Sequence, residues 1–151
     1  MPGIVYYMDG GCLNNQSAFD RHAYGSYVMC VDTGSGLPAK VGVQTSVSMP
    51  ERSTNNEAEY NTLLAVLAEI WDNYYPNGKY MNGALRAKMD CPHVTIFTDS
   101  QLVVYQSSGQ WKIKEARLLP LCMRVRTYLA QMPEIKLVWI PRNQIVAMLG
   151  H

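Results

Sequence analysis

Long apolar runs are absent from these 151 residues: the longest, Leu63 to Ala68, is six residues, whereas a membrane span needs about 20. Met1-Pro2-Gly3 carries no basic stretch leading into an apolar one, so neither secretion nor membrane insertion is expected. No C-x-x-C pair occurs. Cys12, Cys30, Cys91 and Cys122 stand far apart, which argues against zinc-ribbon and dithiol redox spacings and leaves reduced thiols in a cytoplasmic setting as the expectation. Charge is also scarce, at 17% against a usual share of about 25%, while 48% of the residues are hydrophobic. That composition excludes a disordered chain and supplies core for a single domain spanning 1–151.

The net charge of +1 conceals an asymmetry. Residues 1–99 hold six Lys/Arg against ten Asp/Glu, a balance of −4, and residues 100–151 hold seven against two, a balance of +5. A carboxylate-rich first part and a basic last third could join a cation site to a phosphate-binding surface; a chance distribution over a solvated exterior is the alternative.

Ile4-Val5-Tyr6-Tyr7-Met8 reads as a strand buried on both faces, ending at Asp9-Gly10-Gly11. Ala23 to Val31 and Lys40 to Ser48 read as two more strands, joined through the turn-forming 32–36 segment, so three antiparallel strands are expected. The period then becomes helical, with Leu63, Leu64, Leu67, Ile70, Trp71 and Tyr74 on one face until Pro76 and Gly78. Thr54 and Glu57 have capping-box spacing, which gives Glu57 a structural task. Residues 75–92 read as a long loop. Val94 to Thr98 is a second buried-type strand; a short helix from Gln101 to Gln106, a longer one within Ala116 to Ala130 and a last strand from Ile135 to Ile140 follow. This order predicts an α/β domain with a mixed sheet and helices packed on it.

Asp9 and Asp99 follow the two most buried-looking strands. A helical crossover makes such strands parallel neighbours, which brings both carboxylates to one edge. Two buried like charges raise each other's proton affinity unless a cation neutralises them, so the pair points to a metal site. Asp9 before Gly10 and Asp99 before Ser100 also suit ordinary turn or cap roles. Glu59 lies about 200° round the helix from Glu57 and can face the sheet, or simply complement the helix dipole.

Four separated segments carry a family resemblance: Asp9-Gly10-Gly11-Cys12-Leu13-Asn14-Asn15, Thr54-Asn55-Asn56-Glu57-Ala58-Glu59-Tyr60, Thr98-Asp99-Ser100-Gln101-Leu102-Val103 and Trp139-Ile140-Pro141-Arg142. In order and spacing they resemble type 1 ribonucleases H, and 109–121 is similar to the compact, archaeal-like branch. The resemblance covers nearly the whole chain outside 75–92. It implies a ribonuclease-H-like mixed five-stranded sheet, three antiparallel strands followed by parallel additions, with helices on both faces. It also implies an endoribonuclease that hydrolyses the RNA strand of RNA–DNA hybrids, with two Mg²⁺ or Mn²⁺ ions held by the catalytic residues Asp9, Glu59 and Asp99. Asn15, Thr54, Asn55, Asn56 and Ser100 fall on nucleic-acid-contacting positions. Lys112, Lys114, Arg117 and Arg142 are candidate phosphate contacts, with a solvated basic face as the alternative. Trp111 and Trp139 could stack on nucleic acid or pack in the core, and packing is the expectation. The hybrid is the expected partner, with no membrane and no obligatory protein partner.

One element of that family's pattern is missing. An Asp is expected to open the last helix, but Pro141 is followed by Arg142-Asn143-Gln144-Ile145-Val146-Ala147-Met148-Leu149-Gly150-His151, with no Asp or Glu after Glu134. Leu149 takes the Asp position in an ungapped comparison. The remaining candidates for a fourth metal ligand are Asn143, His151 and the terminal carboxylate. An alternative function follows from the gap: a catalytically impaired module that binds hybrid or duplex without cutting it.

Overall fold

The computed structural model describes residues 3–32, 34, 36, 38–74 and 93–151. Its centre is a hairpin of two eleven-residue strands, β1 (Gly3–Leu13) and β2 (His22–Asp32), paired antiparallel along their whole length from Gly3↔Asp32 to Leu13↔His22. The expected third strand is broken into two two-residue pieces, β3 (Ala39–Lys40) and β4 (Thr45–Ser46), both on β2. Val41 to Gln44 between them is exposed, so no buried side chain holds that stretch in register. A twenty-residue helix α1 (Asn55–Tyr74) follows, and the loop expected over 75–92 lies outside the described residues. Then come β5 (Val94–Thr98), α2 (Gln101–Ser107), a 3₁₀ turn (Ala116–Leu118), α3 (Leu119–Gln131), β6 (Ile135–Trp139) and α4 (Arg142–Leu149). The helix α4 is an addition to the elements read from periodicity.

The sheet runs β3-β2-β1-β5-β6, with β4 also on β2; β5 joins β1 in parallel and β6 joins β5 in parallel. Alternation along β1 sends Tyr6 and Met8 to one face and Val5 and Tyr7 to the other. On the first face they meet Tyr60, Leu63, Leu67 and Ile70 of α1 and Cys122 and Val125 of α3. On the second, Val5, Tyr7, Val28 and Cys30 are covered by Ile145, Met148 and Leu149 of α4. Helices therefore cover both faces, and the mixed sheet has six strands because one expected strand is split.

Local chemistry explains the helix boundaries. At the start of α1 the Glu57 amide donates to Thr54 Oγ1 at 3.2 Å and the Thr54 amide donates to Glu57 Oε1 at 3.0 Å, the reciprocal capping box read from the spacing. Pro120 sits in the first turn of α3, where its missing N–H has no helical partner to lose. Ser100 caps α2 by accepting from the Val103 amide at 3.2 Å. Toward the carboxy-terminal end of α1, Glu69 accepts from the hydroxyls of Tyr6 at 2.5 Å and Tyr27 at 3.0 Å, tying the helix to both central strands.

Candidate active site at the carboxylate edge of the sheet

Asp9 is not at the end of β1, as the turn-like Asp-Gly-Gly suggested, but four residues before it. The two neighbours of β1 differ in length: β2 pairs through Leu13, whereas the parallel pairing with β5 stops at Tyr7↔Phe97. Asp9 therefore stands just beyond the paired part of β5, opposite Ser26, and is only 1% exposed. Asp99 follows β5 directly. Glu59 arrives from the second turn of α1, and Gly10 permits that approach. A Cβ at position 10 would lie 2.6 Å from the Ala58 carbonyl oxygen and 2.8 Å from the Glu59 Cα. Only a residue without a side chain lets the helix backbone come this near the strand.

Asp9 and Asp99 share Arg142 as a partner, and Glu59 is held beside them by Ser100 and Asn55. Arg142 Nη1 donates to Asp99 Oδ2 at 3.0 Å and lies 3.8 Å from Asp9 Oδ1. Ser100 Oγ donates to Glu59 Oε2 at 2.6 Å, and Asn55 Nδ2 reaches Glu59 Oε1 at 3.5 Å. Burial, then the charge of Asp99, pushes the Asp9 carboxyl up to about 6, with Arg142 and His151 opposing. Burial pushes Glu59 up to about 7; the Ser100 hydrogen bond offsets part of this, and the charges of Asp99 and Asp9 add to it. Arg142 is held more firmly protonated by its hydrogen bond to Asp99 and by the charge of Asp9. Burial and mutual repulsion thus make Asp9 and Glu59 costly to ionise, a cost that a bound cation would relieve.

Oxygen donors of this kind suit Mg²⁺ or Mn²⁺. Among the described residues, no group of three or more His, Cys, Asp or Glu is arranged to hold an ion. The reason is visible in the contacts. Arg142 stands between Asp9 and Asp99, His151 engages the other Asp9 oxygen, and Ser100 and Asn55 engage both oxygens of Glu59. The donor set fits a divalent cation in its chemistry, with the Arg142 guanidinium serving as the counter-charge in this arrangement.

A cleft of about 450 Å³ opens onto Glu59, Asp99, Trp139 and Arg142. A second, of about 470 Å³, is lined by Trp111, Lys112 and Lys114, and Leu102 borders both. Trp111 is 45% exposed and leans on Tyr105 with ring centroids 5.0 Å apart, so the core role expected for it does not hold. The 109–115 segment is a loop that follows α2, and among the described residues no second layer covers the ring. Trp139 is half-buried, its indole N–H donating to the Asp99 carbonyl at 3.2 Å.

The other residues singled out from sequence divide by what they touch. Asn15 accepts from the Asn55 amide at 2.8 Å and Asn56 donates to Glu115 at 3.1 Å, so together with Thr54 they frame the start of α1. Ser100 is buried and already bridges Glu59 and α2, so its side chain is not free for a ligand. Arg117 pairs with Glu57 at 3.3 Å, and Asn143 is exposed in the first turn of α4. Leu149 is 5% exposed in the core beneath the sheet. His151 Nδ1 lies 3.1 Å from Asp9 Oδ2. Two residues of the site, Ser26 and Gln44, were missed; a buried serine inside the apolar run of β2 was the available signal.

The fold is that of an RNase H-like domain. A family described as Reverse transcriptase-like matches residues 84–148. The bifunctional protein Rv2228c of Mycobacterium tuberculosis is 30% identical over 139 residues, covering 92% of this chain and 31% of that protein, so the chain spans about a third of that relative's length. The solved N-terminal RNase H domain of Rv2228c, determined as a fusion with maltose-binding protein, aligns with a TM-score of 0.64 at 26% identity over 97% of this chain and 88% of that one. LC11-RNase H1, solved in complex with an RNA/DNA hybrid, aligns with a TM-score of 0.67 at 23% identity, covering 95% and 89%.

Proposed function

We propose that this domain is a divalent-metal-dependent ribonuclease H of the compact, archaeal-like kind, an endonuclease that hydrolyses the RNA strand of RNA–DNA hybrids. The observation that carries the reading is the meeting of Asp9, Glu59 and Asp99 from three separate elements, with Asp9 and Glu59 raised in proton affinity by burial and by the other carboxylates' charge. Buried repulsion of this kind destabilises a fold unless a ligand relieves it, and so marks a site built for a cation. The solved relatives named as RNase H support it further.

Asp9, Glu59 and Asp99 would hold two Mg²⁺ or Mn²⁺ ions, which when bound supply charge neutralisation at the scissile phosphate and an acidified water. The residues of the chain set the geometry. Ser100 fixes one oxygen of Glu59 and Asn55 the other, so that carboxylate enters the site in one orientation. Arg142, 59% exposed at its side chain beside Asp99, would contact a phosphate oxygen next to the carboxylates. Water adds to phosphorus and the P–O3′ bond breaks, leaving a 5′-phosphate and a 3′-hydroxyl. The neighbouring cleft carries the strand onward, with Lys112 and Lys114 on phosphates and the exposed face of Trp111 against a sugar or base. The polar rim formed by Asn15, Thr54, Asn55 and Asn56 faces the RNA minor groove, where 2′-hydroxyls distinguish RNA from DNA.

The second reading, a module that binds hybrid without cutting it, is favoured by one observation: among the described residues no group of three or more His, Cys, Asp or Glu is arranged to hold an ion. Incubation of a labelled hybrid with the protein in Mg²⁺ and, separately, in Mn²⁺ decides between them. Internal cleavage of the RNA strand that chelator abolishes is the expected result, stronger in Mn²⁺ because that ion binds mixed nitrogen and oxygen donors more tightly. Retention of hybrid with no cleavage in either ion establishes the binding module instead. Among the described residues no helix is long and apolar enough to cross a membrane. Cys12, Cys30 and Cys122 are free thiols, which supports a reducing, cytoplasmic setting.

A further inference from the structure

The carboxy-terminal turn brings a residue to Asp9 from the far end of the chain. Helix α4 is anchored beneath the sheet by Ile145, Met148 and Leu149. It ends at Gly150, whose φ of +81° lets its amide return to the Val146 carbonyl at 2.7 Å. That left-handed turn reverses the chain and lays His151 over the catalytic edge. Gln44 holds the turn by donating to the Leu149 carbonyl at 3.1 Å. The imidazole stands edge-on to Tyr24, ring centroids 5.6 Å apart at 81°.

Both ring nitrogens are used. Nδ1 lies 3.1 Å from Asp9 Oδ2, and Nε2 is hydrogen-bonded to Ser26 Oγ. An ionised carboxylate only accepts, so Nδ1 carries the hydrogen in the contact with Asp9. Ser26 is the cross-strand partner of Asp9, which places hydroxyl, imidazole and carboxylate in one short chain. The two oxygens of Asp9 are thereby made unequal. Oδ2 is tied to His151, while Oδ1 faces Arg142 and, beyond it, Asp99.

We propose that His151 is a positioning residue for Asp9: through the Ser26–His151–Asp9 chain it holds Oδ2 and turns Oδ1 toward the Asp99 side, where the divalent cation binds. This rests on the cation site of the proposed ribonuclease and goes beyond it by assigning a role to a side chain outside the carboxylate set. Imidazoles and carboxylates that orient a metal ligand through its outer oxygen typically change metal affinity by about 10- to 100-fold when removed.

The test titrates Mn²⁺ and Mg²⁺ calorimetrically into the nucleic-acid-free protein, comparing the parent with His151→Ala, His151→Asn and Ser26→Ala. Asparagine places an amide N–H where Nδ1–H stands. The expected result is a loss of Mn²⁺ affinity of about tenfold or more in His151→Ala, recovery of most of it in His151→Asn, and a smaller loss in Ser26→Ala. The hydrogen-bonded Nδ1–H proton of His151 should also be visible by NMR in the parent and absent from Asp9→Ala, which leaves no acceptor. Affinity within twofold of the parent in His151→Ala overturns the proposal, as does an asparagine variant that folds and binds no better than the alanine one. If His151→Ala does not fold, unchanged affinity in Ser26→Ala overturns it equally. Cleavage assays separate the two readings. A parent that binds cations and leaves hybrid uncut removes the ribonuclease and leaves the positioning role standing, whereas a parent that binds neither ion removes both.

Discussion

Glu59→Gln should make the metal-free domain more stable at neutral and alkaline pH while abolishing cleavage. Burial, opposed in part by Ser100 and reinforced by the charges of Asp99 and Asp9, raises the Glu59 carboxyl from 4.5 to about 7. Because the folded-state value lies above the unfolded one, the carboxyl stabilises the fold while it keeps its proton, fully below about pH 4.5, and that contribution is lost as the pH rises through 7. At about 1.4 kcal/mol per pH unit, ionising Glu59 costs the folded state up to about 3 kcal/mol. Glutamine is neutral throughout and still accepts from Ser100, but it weakens the 3.5 Å contact with Asn55, which returns up to about 1 kcal/mol. The net gain is about 1–2 kcal/mol at pH 8, shrinking toward zero at pH 4.5. Urea unfolding of parent and variant in chelator at the two pH values measures it, and saturating Mg²⁺ should reverse the order by stabilising only the parent. A variant no more stable than the parent at pH 8, or a difference that does not change with pH, refutes the account of Glu59 as a buried, repelled carboxylate.

Asp99→Asn removes the charge that raises both other carboxylates, so the Asp9 carboxyl should titrate below its present value of about 6, read by NMR, and hybrid cleavage should fall by several orders of magnitude. Glu57→Gln keeps an acceptor for the Thr54 amide and loses only the exposed pair with Arg117; stability should change by less than about 1 kcal/mol and cleavage should persist, so a loss of activity would mean that the wrong glutamate has been assigned. Gly10→Ala forces a methyl against the Ala58 carbonyl and should cost about 1–3 kcal/mol in thermal or urea unfolding, with cleavage lost as the first turns of α1 move Glu59 away; unfolding and activity indistinguishable from the parent would show that the close approach is not needed.

Much of this molecule is legible in local sequence because its cause is local. The capping box needs only Thr54 and Glu57 three residues apart, and it formed as read. Val94 to Thr98 is apolar and bounded by turn formers, and it is a strand with those bounds. That Asp9 and Asp99 come to the same edge also follows from order, since a helical crossover makes their strands parallel neighbours. Tertiary structure decided what depends on unequal neighbours and on distant chain. Asp9 lies inside a strand rather than at its end because β2 outlasts β5 along β1, a difference in pairing length that no window around Asp9 contains. Trp111 is exposed because, among the described residues, no element packs over that loop, although an indole suits a core. Arg142 and His151 reach Asp9 from the other end of the chain, His151 across 142 positions, because α4 is seated by its apolar face on the underside of the sheet. Periodicity sets which face of an element is buried; the partners across that face set where its polar residues come to rest.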